Sequence, residues 1–236
     1  MLFDFSGKVA LVSGGTSGIG LAIAQALRDA GCAVTGAGLI EKEPTDASGI
    51  TFATMDVTDA SSIERVVAKC PRLDIVVNAA GVIRRGEEHD PEVFRQVIDV
   101  NLNGAMRVAV ATRQRLAATG GSLINIASML SFFGGGLVPA YSASKGGISQ
   151  LTKSLAIAWA AEGVRVNAVA PGWIATPLTQ GLQDDAARSA AVLSRTPMGR
   201  WGRPEDIAGP VMFLCSDAAA FITGAVLPVD GGYLAA

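Results

Sequence analysis

Tyr141-Ser142-Ala143-Ser144-Lys145 sets a phenol and an ammonium four residues apart, with Ser128 thirteen residues upstream of the tyrosine. On a helix that interval stacks the two side chains on one face, an arrangement for moving a proton. A free phenol has a pKa near ~10, so roughly 0.1% is ionised at pH 7. A cation within about 4–6 Å favours the phenolate, and Lys145 is therefore expected to make Tyr141 more acidic. Tyr-x-x-x-Lys alone is a common surface spacing, so the elements that position it must decide.

With 236 residues, 50% of them hydrophobic and 17% charged, the chain can bury one substantial core, and residues 1–236 are expected to form a single α/β domain. Nineteen basic residues balance 21 acidic ones, leaving a net charge of −2 and no electrostatic reason to expect nucleic acid or an anionic membrane. The expected partner is a small molecule. The N-terminus lacks the cationic start and apolar run of a signal peptide, and no later stretch has ~18 unbroken apolar residues, so a soluble cytoplasmic protein is expected. Cys32, Cys70 and Cys215 are odd in number and far apart, which suits buried thiols better than disulfides or a zinc site. His89 is the only histidine and sits in the acidic run Glu87-Glu88-His89-Asp90-Pro91-Glu92, which reads as a solvated loop entering a helix with Asp90 as N-cap. No metal site is expected. Ser128 lacks the Gly-x-Ser-x-Gly frame of a hydrolase nucleophile, which argues against hydrolysis.

Val9–Ser13 is an apolar run followed by a glycine-rich turn and then by Ile19, Ala22, Ile23, Ala26, Leu27 and Ala30 at helical steps. Further apolar runs at 33–37, 51–55, 73–78, 122–126, 165–170 and 225–229 predict strands, and helical patterns fall at 60–68, 91–118, 141–161 and 204–215. Strands this uniformly apolar must be covered on both faces. The predicted architecture is a Rossmann-like, doubly wound parallel sheet of about seven strands. The short polar stretch 39–50 is expected to cross over as a loop. Residues 173–203, rich in Pro and Gly around a short helical patch, follow a strand's C-terminal end, where a substrate lid would lie.

Ser13-Gly14-Gly15-Thr16-Ser17-Gly18-Ile19-Gly20 joins the first strand to the first helix. Glycines there let the backbone approach a pyrophosphate, whose charge meets the exposed N–H groups and the positive end of the helix. The spacing Gly-x-x-x-Gly-x-Gly resembles that of the short-chain dehydrogenase/reductase family, with Ser13 in place of its threonine. The resemblance continues in order through Asn78-Ala79-Ala80-Gly81, Asn101, Ser128, Tyr141, Lys145, Pro171-Gly172-Trp173-Ile174-Ala175-Thr176 and Asp230-Gly231-Gly232-Tyr233.

That resemblance implies an NAD(P)-dependent oxidoreductase. In it Tyr141 exchanges a proton with a ketone or secondary alcohol, Lys145 assists and reaches the nicotinamide ribose, Ser128 hydrogen-bonds the substrate oxygen, and Asn101 holds a water that leads to Lys145. Gly14, Thr16, Ser17, Gly18, Ile19 and Gly20 would cradle the cofactor; Asp56 and Val57 would meet its adenine, Asn78 its ribose side, and Ile174 and Thr176 its carboxamide and phosphates. Gly38 and Leu39 stand where an acid would bind a ribose 2′-hydroxyl, Glu41 and Lys42 follow, and Ser17 stands where NADP-preferring relatives often have a basic residue. The lean is toward NAD over NADP. Asn78 to Arg85 and Ile126 to Phe132 are similar to the sugar-acid branch of the family, the 2-deoxygluconate and 2-dehydro-3-deoxygluconate dehydrogenases. Arg84 and Arg85 would there attract a carboxylate, while Phe132 and Phe133 would suit an apolar substrate instead. The rivals are a 3-oxoacyl-carrier-protein reductase and, from another class, a nucleotide-binding sensor without turnover. The family also implies a homotetramer.

Overall fold

The computed structural model describes residues 3–40 and 48–236; the expected loop around Glu41 and Lys42 lies largely outside the described residues. Seven strands, β1 (Val9–Ser13), β2 (Ala33–Gly38), β3 (Ile50–Thr54), β4 (Ile75–Asn78), β5 (Ser122–Ile126), β6 (Arg165–Pro171) and β7 (Val226–Val229), form one sheet in the order β3-β2-β1-β4-β5-β6-β7. Every pairing is parallel. The order reverses direction between β1 and β4, and there the carboxyl ends of the strands open a crevice.

Helices α1 (Gly18–Asp29) and α8 (Pro204–Cys215) cover one face, where Ile23, Leu27, Ile207 and Val211 pack on Val12, Val77 and Ile124. Helices α2 (Ala60–Ala68), α4 (Gly104–Thr119) and α5 (Pro139–Trp159) cover the other, with Ile63, Val108 and Leu116 on Leu11, Val76 and Leu123. Alternate residues of each strand therefore enter opposite cores. This is why the strand runs are continuous in hydrophobicity instead of alternating.

The predicted helix 91–118 is divided. Pro91–Ile98 forms α3, capped as expected by Asp90, but Asp99–Asn103 widens into a π turn before α4 begins. Such turns inside helices occur where a side chain is re-aimed. Between β6 and α8 lie a 3₁₀ turn (Pro177–Thr179) and the short helices α6 (Gln180–Gln183) and α7 (Ala186–Ser194). The two ends of this excursion are pinched together, with Ala175 N–H donating to Gly202 O at 2.8 Å and Gly202 N–H to Trp173 O at 2.9 Å.

Candidate active site

At the end of β1 the chain turns through Gly14, whose φ of 74° is left-handed. A β-carbon there would stand 2.5 Å from the Ala80 backbone nitrogen, so only glycine lets the β1 and β4 turns meet. Ser17, the N-cap of α1, makes no side-chain capping bond, which leaves the first N–H groups of the helix available to an anion. This cradle opens into a cleft of 330 Å³ whose other walls are residues 79–81, Ile126, Tyr141, Lys145 and Thr176. The glycine turn and the Tyr-Lys pair therefore share one space. The cradle fits a dinucleotide: close backbone approach, exposed donors and no acid at the helix entrance.

Tyr141 and Lys145 project from the first two turns of α5 on the same face, as their spacing dictates. Lys145 Nζ donates to the Ile126 carbonyl oxygen at 2.7 Å and lies 5.5 Å from the centre of the tyrosine ring. Burial depresses its pKa to about 8. The expectation that this ammonium acidifies Tyr141 is corrected. Burial raises the phenol above its ordinary range; Ser128 acts against that rise, Glu88 reinforces it and Arg85 opposes it. Lys145 still carries its charge at pH 7, and the cation that opposes Glu88 at the phenol is Arg85.

Ser128 follows β5, is 7% exposed and accepts from Leu130 N–H at 3.2 Å, capping a 3₁₀ turn. That bond uses an oxygen lone pair, and the hydroxyl proton is left for the hydrogen bond with Tyr141 that favours the phenolate. Asn101 sits in the π turn, fully buried. Its Oδ1 accepts from Val82 N–H at 2.8 Å, and its Nδ2 donates to Val82 O at 2.9 Å and to Ser144 Oγ at 3.2 Å. A β-carbon on Gly81 would be 3.4 Å from Asn101 Oδ1 and 3.8 Å from Lys145 Nζ, so the two residues flank that glycine. The amide of Asn101 holds the strand-end loop.

Asn78 is also displaced from its expected part. Its side chain turns into the protein, Nδ2 donating to Ala105 O and Asn125 Oδ1 at 3.0 Å each, because the strand alternation directs it between α4 and β5. It does not line the cleft. Asp56 lies beyond β3, with Oδ1 accepting from Thr58 N–H at 2.8 Å, and Val57 is buried beside Gly104. Thr16 covers Gly38 at the end of β2, since a β-carbon on Gly38 would meet Thr16 Oγ1 at 3.0 Å. Thr176 closes the cleft opposite Gly18, and the buried Ile174 is held by Thr179 Oγ1 donating to its carbonyl at 2.7 Å.

One residue escaped functional notice, and the structure separates the two arginines that were read together. Glu88, read as part of a solvated acidic loop, is 1% exposed. Its Oε1 accepts from Arg84 N–H at 2.9 Å and its Oε2 from Tyr141 N–H at 2.8 Å. Arg85 is half-buried, with Arg188 of α7, Glu88 and Tyr141 as its charged surroundings. Burial lowers its pKa, and no ion pair is formed by it among the described residues. Arg84 is exposed. Tyr141 for Glu88 and Arg188 for Arg85 are distant in sequence, which local composition does not signal.

Residues 14–234 match a family model described as enoyl-(acyl carrier protein) reductase. The chain is 44% identical, over 98% of its own length and 98% of the relative's, to a 2-dehydro-3-deoxy-D-gluconate 5-dehydrogenase of Pseudoalteromonas atlantica. A structure from Agrobacterium tumefaciens solved with NADP bound is 42% identical and superposes with a TM-score of 0.91 over 99% of each chain. A gluconate 5-dehydrogenase of Burkholderia cenocepacia, in complex with NADP and tartrate, is 34% identical with a TM-score of 0.92, covering 99% of this chain and 98% of that one. The lean toward NAD finds no support in these neighbours. Similarity of this extent, over a sheet and cleft that agree with it, places the chain in the short-chain dehydrogenase/reductase family, as an NAD(P)-dependent oxidoreductase acting on CH–OH groups.

Proposed function

We propose that this chain interconverts a secondary alcohol and a ketone on a small sugar acid, using Tyr141 as the proton-transferring group. One observation carries the reading: the phenol opens on the same cleft as the glycine cradle, and among the charges acting on it is the half-buried Arg85, which forms no ion pair among the described residues. A half-buried cation outside any close ion pair favours an anion arriving with the substrate.

The dinucleotide, when bound, supplies or accepts the hydride. Tyr141 Oη gives a proton to the ketone oxygen in reduction and removes one from the alcohol in oxidation. Ser128 Oγ donates to the same oxygen and stabilises charge developing there. Lys145, poised by burial at about 8, exchanges a proton near neutral pH and returns it toward the phenol. Asn101 keeps the Val82 backbone, and with it the loop leading to Arg85, in register. Glycines 14, 18 and 20 with Thr16, Ser17, Ile19 and Thr176 hold the phosphates, while Asp56 and Val57 bound the adenine end. Asn78 supports the cleft from within. Residues 173–203, hinged at the Ile174–Gly202 bridge, form the lid over one domain spanning 1–236.

For the dinucleotide we infer that NADP(H) is accepted. β2 ends at Gly38, Leu39 and Ile40 follow it without a carboxylate to repel a 2′-phosphate, and solved relatives carry NADP. Exposed Met106, Val110 and Ile157 on α4 and α5 suit burial in a homotetramer. The three free cysteines suit a cytoplasmic, reducing compartment. Tartrate in the Burkholderia relative, a hydroxy dicarboxylate, is the kind of anion Arg85 would receive here. Reduction of an acyl chain on a carrier protein is the second reading, favoured by exposed Phe132 and Phe133. A sensor without turnover is disfavoured by Tyr141 and Lys145 sharing the cleft, with Ser128 bonded to the phenol. Assaying hydroxy acids, polyols and a 3-oxoacyl thioester with each dinucleotide decides. Activity on hydroxy acids with NADP is expected, and activity on the thioester alone contradicts the proposal.

A further inference from the structure

The loop that follows β4 is laced to the entry of α5 at three points. Gly86 N–H donates to Leu137 O at 2.8 Å, His89 Nε2 meets Gly136 O at 3.0 Å, and Glu88 Oε2 accepts from Tyr141 N–H at 2.8 Å. The third differs in kind. Helix α5 begins at Pro139, and its N-cap Val138 has no side chain able to cap it, so the amide groups of its first turn lack a local side-chain acceptor. Glu88 supplies that acceptor from 53 residues away, and a negative group at a helix N-terminus is favourable there. Its other oxygen holds the N–H of Arg84, next to Arg85.

We infer that Glu88 is a positioning residue of the reaction, a clasp that fixes the span between Arg85, which receives the substrate's anionic end, and Tyr141, which exchanges its proton. The inference rests on the sugar-acid reading for its substrate half only. The carboxyl bonds the backbone amide of the very residue whose hydroxyl reacts, and the backbone amide adjoining the cation. A shift of either would change the distance between the two functional groups, and misplacement by about 1 Å costs on the order of a hundredfold in rate.

The clasp has an electrostatic side. The charged and polar groups facing the phenol are Lys145 on its own helix, Ser128 after β5, and Glu88 and Arg85 from the loop after β4, with Arg188 of α7 facing Arg85. Glu88 alone among these is an anion, and it works against ionisation of Tyr141 while Arg85 works for it.

The test compares Glu88→Gln, which keeps shape but removes the charge and one of the two acceptors, with Glu88→Asp, which keeps charge and both acceptors and shortens the reach. For each, dinucleotide affinity is measured to establish that the cradle is intact, and log kcat/KM for alcohol oxidation is followed against pH. Glu88→Gln is expected to retain dinucleotide affinity and to move the acidic limb to lower pH by about half a unit or more, because an anion beside the base has gone. Glu88→Asp is expected to leave the limb in place, yet lose about tenfold or more in kcat/KM for a hydroxy acid with a smaller loss for a neutral polyol. A Gln variant that lowers rate at every pH without moving the limb, or an Asp variant that treats acid and polyol alike, would overturn the inference. Should the Gln variant lose dinucleotide binding, the Asp variant decides by the same ratio. Should the wild-type enzyme prefer no hydroxy acid, the sugar-acid reading fails, and the limb measured on any alcohol it oxidises still tests the clasp.

Discussion

Lys145 Nζ lies 5.5 Å from the centre of the Tyr141 ring, and its hydrogen bond goes to the Ile126 carbonyl oxygen. The buried ammonium therefore costs the fold something. A pKa pushed from 10.5 to about 8 corresponds to roughly 3 kcal/mol against the charged form at neutral pH. Replacing it with methionine removes that cost and leaves the Ile126 carbonyl unpaired, which costs about 1–3 kcal/mol. The two nearly cancel. Lys145→Met is expected to change unfolding free energy at pH 7 by less than about 2 kcal/mol while turnover collapses, as read by urea melts and steady-state rates.

The pH dependence of stability follows from the same group and two thiols. Lys145 holds fewer protons folded than unfolded between about 8 and 10.5, so stability rises with pH through that window. Burial raises Cys32 and Cys215 from 9.0 to about 12, so the fold holds more protons there and stability falls with pH above 9. A maximum near pH 9 is expected in urea-derived stability. Lys145→Met should remove the rise, and Cys32→Ala with Cys215→Ala should flatten the fall.

Gly14 and Gly86 both have positive φ, of 74° and 84°, but only Gly14 faces a wall. Gly86→Ala meets open space and is expected to cost about 1 kcal/mol of backbone strain with dinucleotide affinity intact. Gly14→Ala would drive its methyl into the Ala80 backbone and is expected to abolish dinucleotide binding. Titration of both variants by tryptophan fluorescence separates the outcomes.

Much of this was readable beforehand for physical reasons. Strands covered on both faces, such as β1 and β5, need continuous apolar runs, and these stood out. Helix α5 kept Tyr141 and Lys145 on one face because the four-residue interval is a property of the helix itself. The π turn at Asp99–Asn103 was not readable, since it serves a nonlocal bond between Asn101 and Val82. Glu88 looked solvated in an acidic run because its partners, the N–H groups of Arg84 and Tyr141, are brought to it by the fold. Asn78 matched a motif yet faces inward, because β4 ends with that side of the strand turned toward α4.

Asn101 is expected to be the most costly polar residue of the site to remove. Asn101→Ala strands both backbone groups of Val82, for about 2–5 kcal/mol in all. A loss under about 1 kcal/mol in urea melts would show that the loop finds other partners.

Arg85→Met is expected to raise KM for a hydroxy acid about tenfold or more, with little change for a neutral polyol. Equal effects on both substrates would remove Arg85 from the recognition of the anion.

The central claim is that the Tyr141 hydroxyl exchanges the substrate's proton over a cleft shared with the dinucleotide. Tyr141→Phe measures it most directly, since it removes one oxygen and leaves the ring and the Lys145 bond in place. The expected result is unchanged dinucleotide affinity with kcat lowered by at least about a hundredfold. Turnover within a few-fold of wild type would contradict the account.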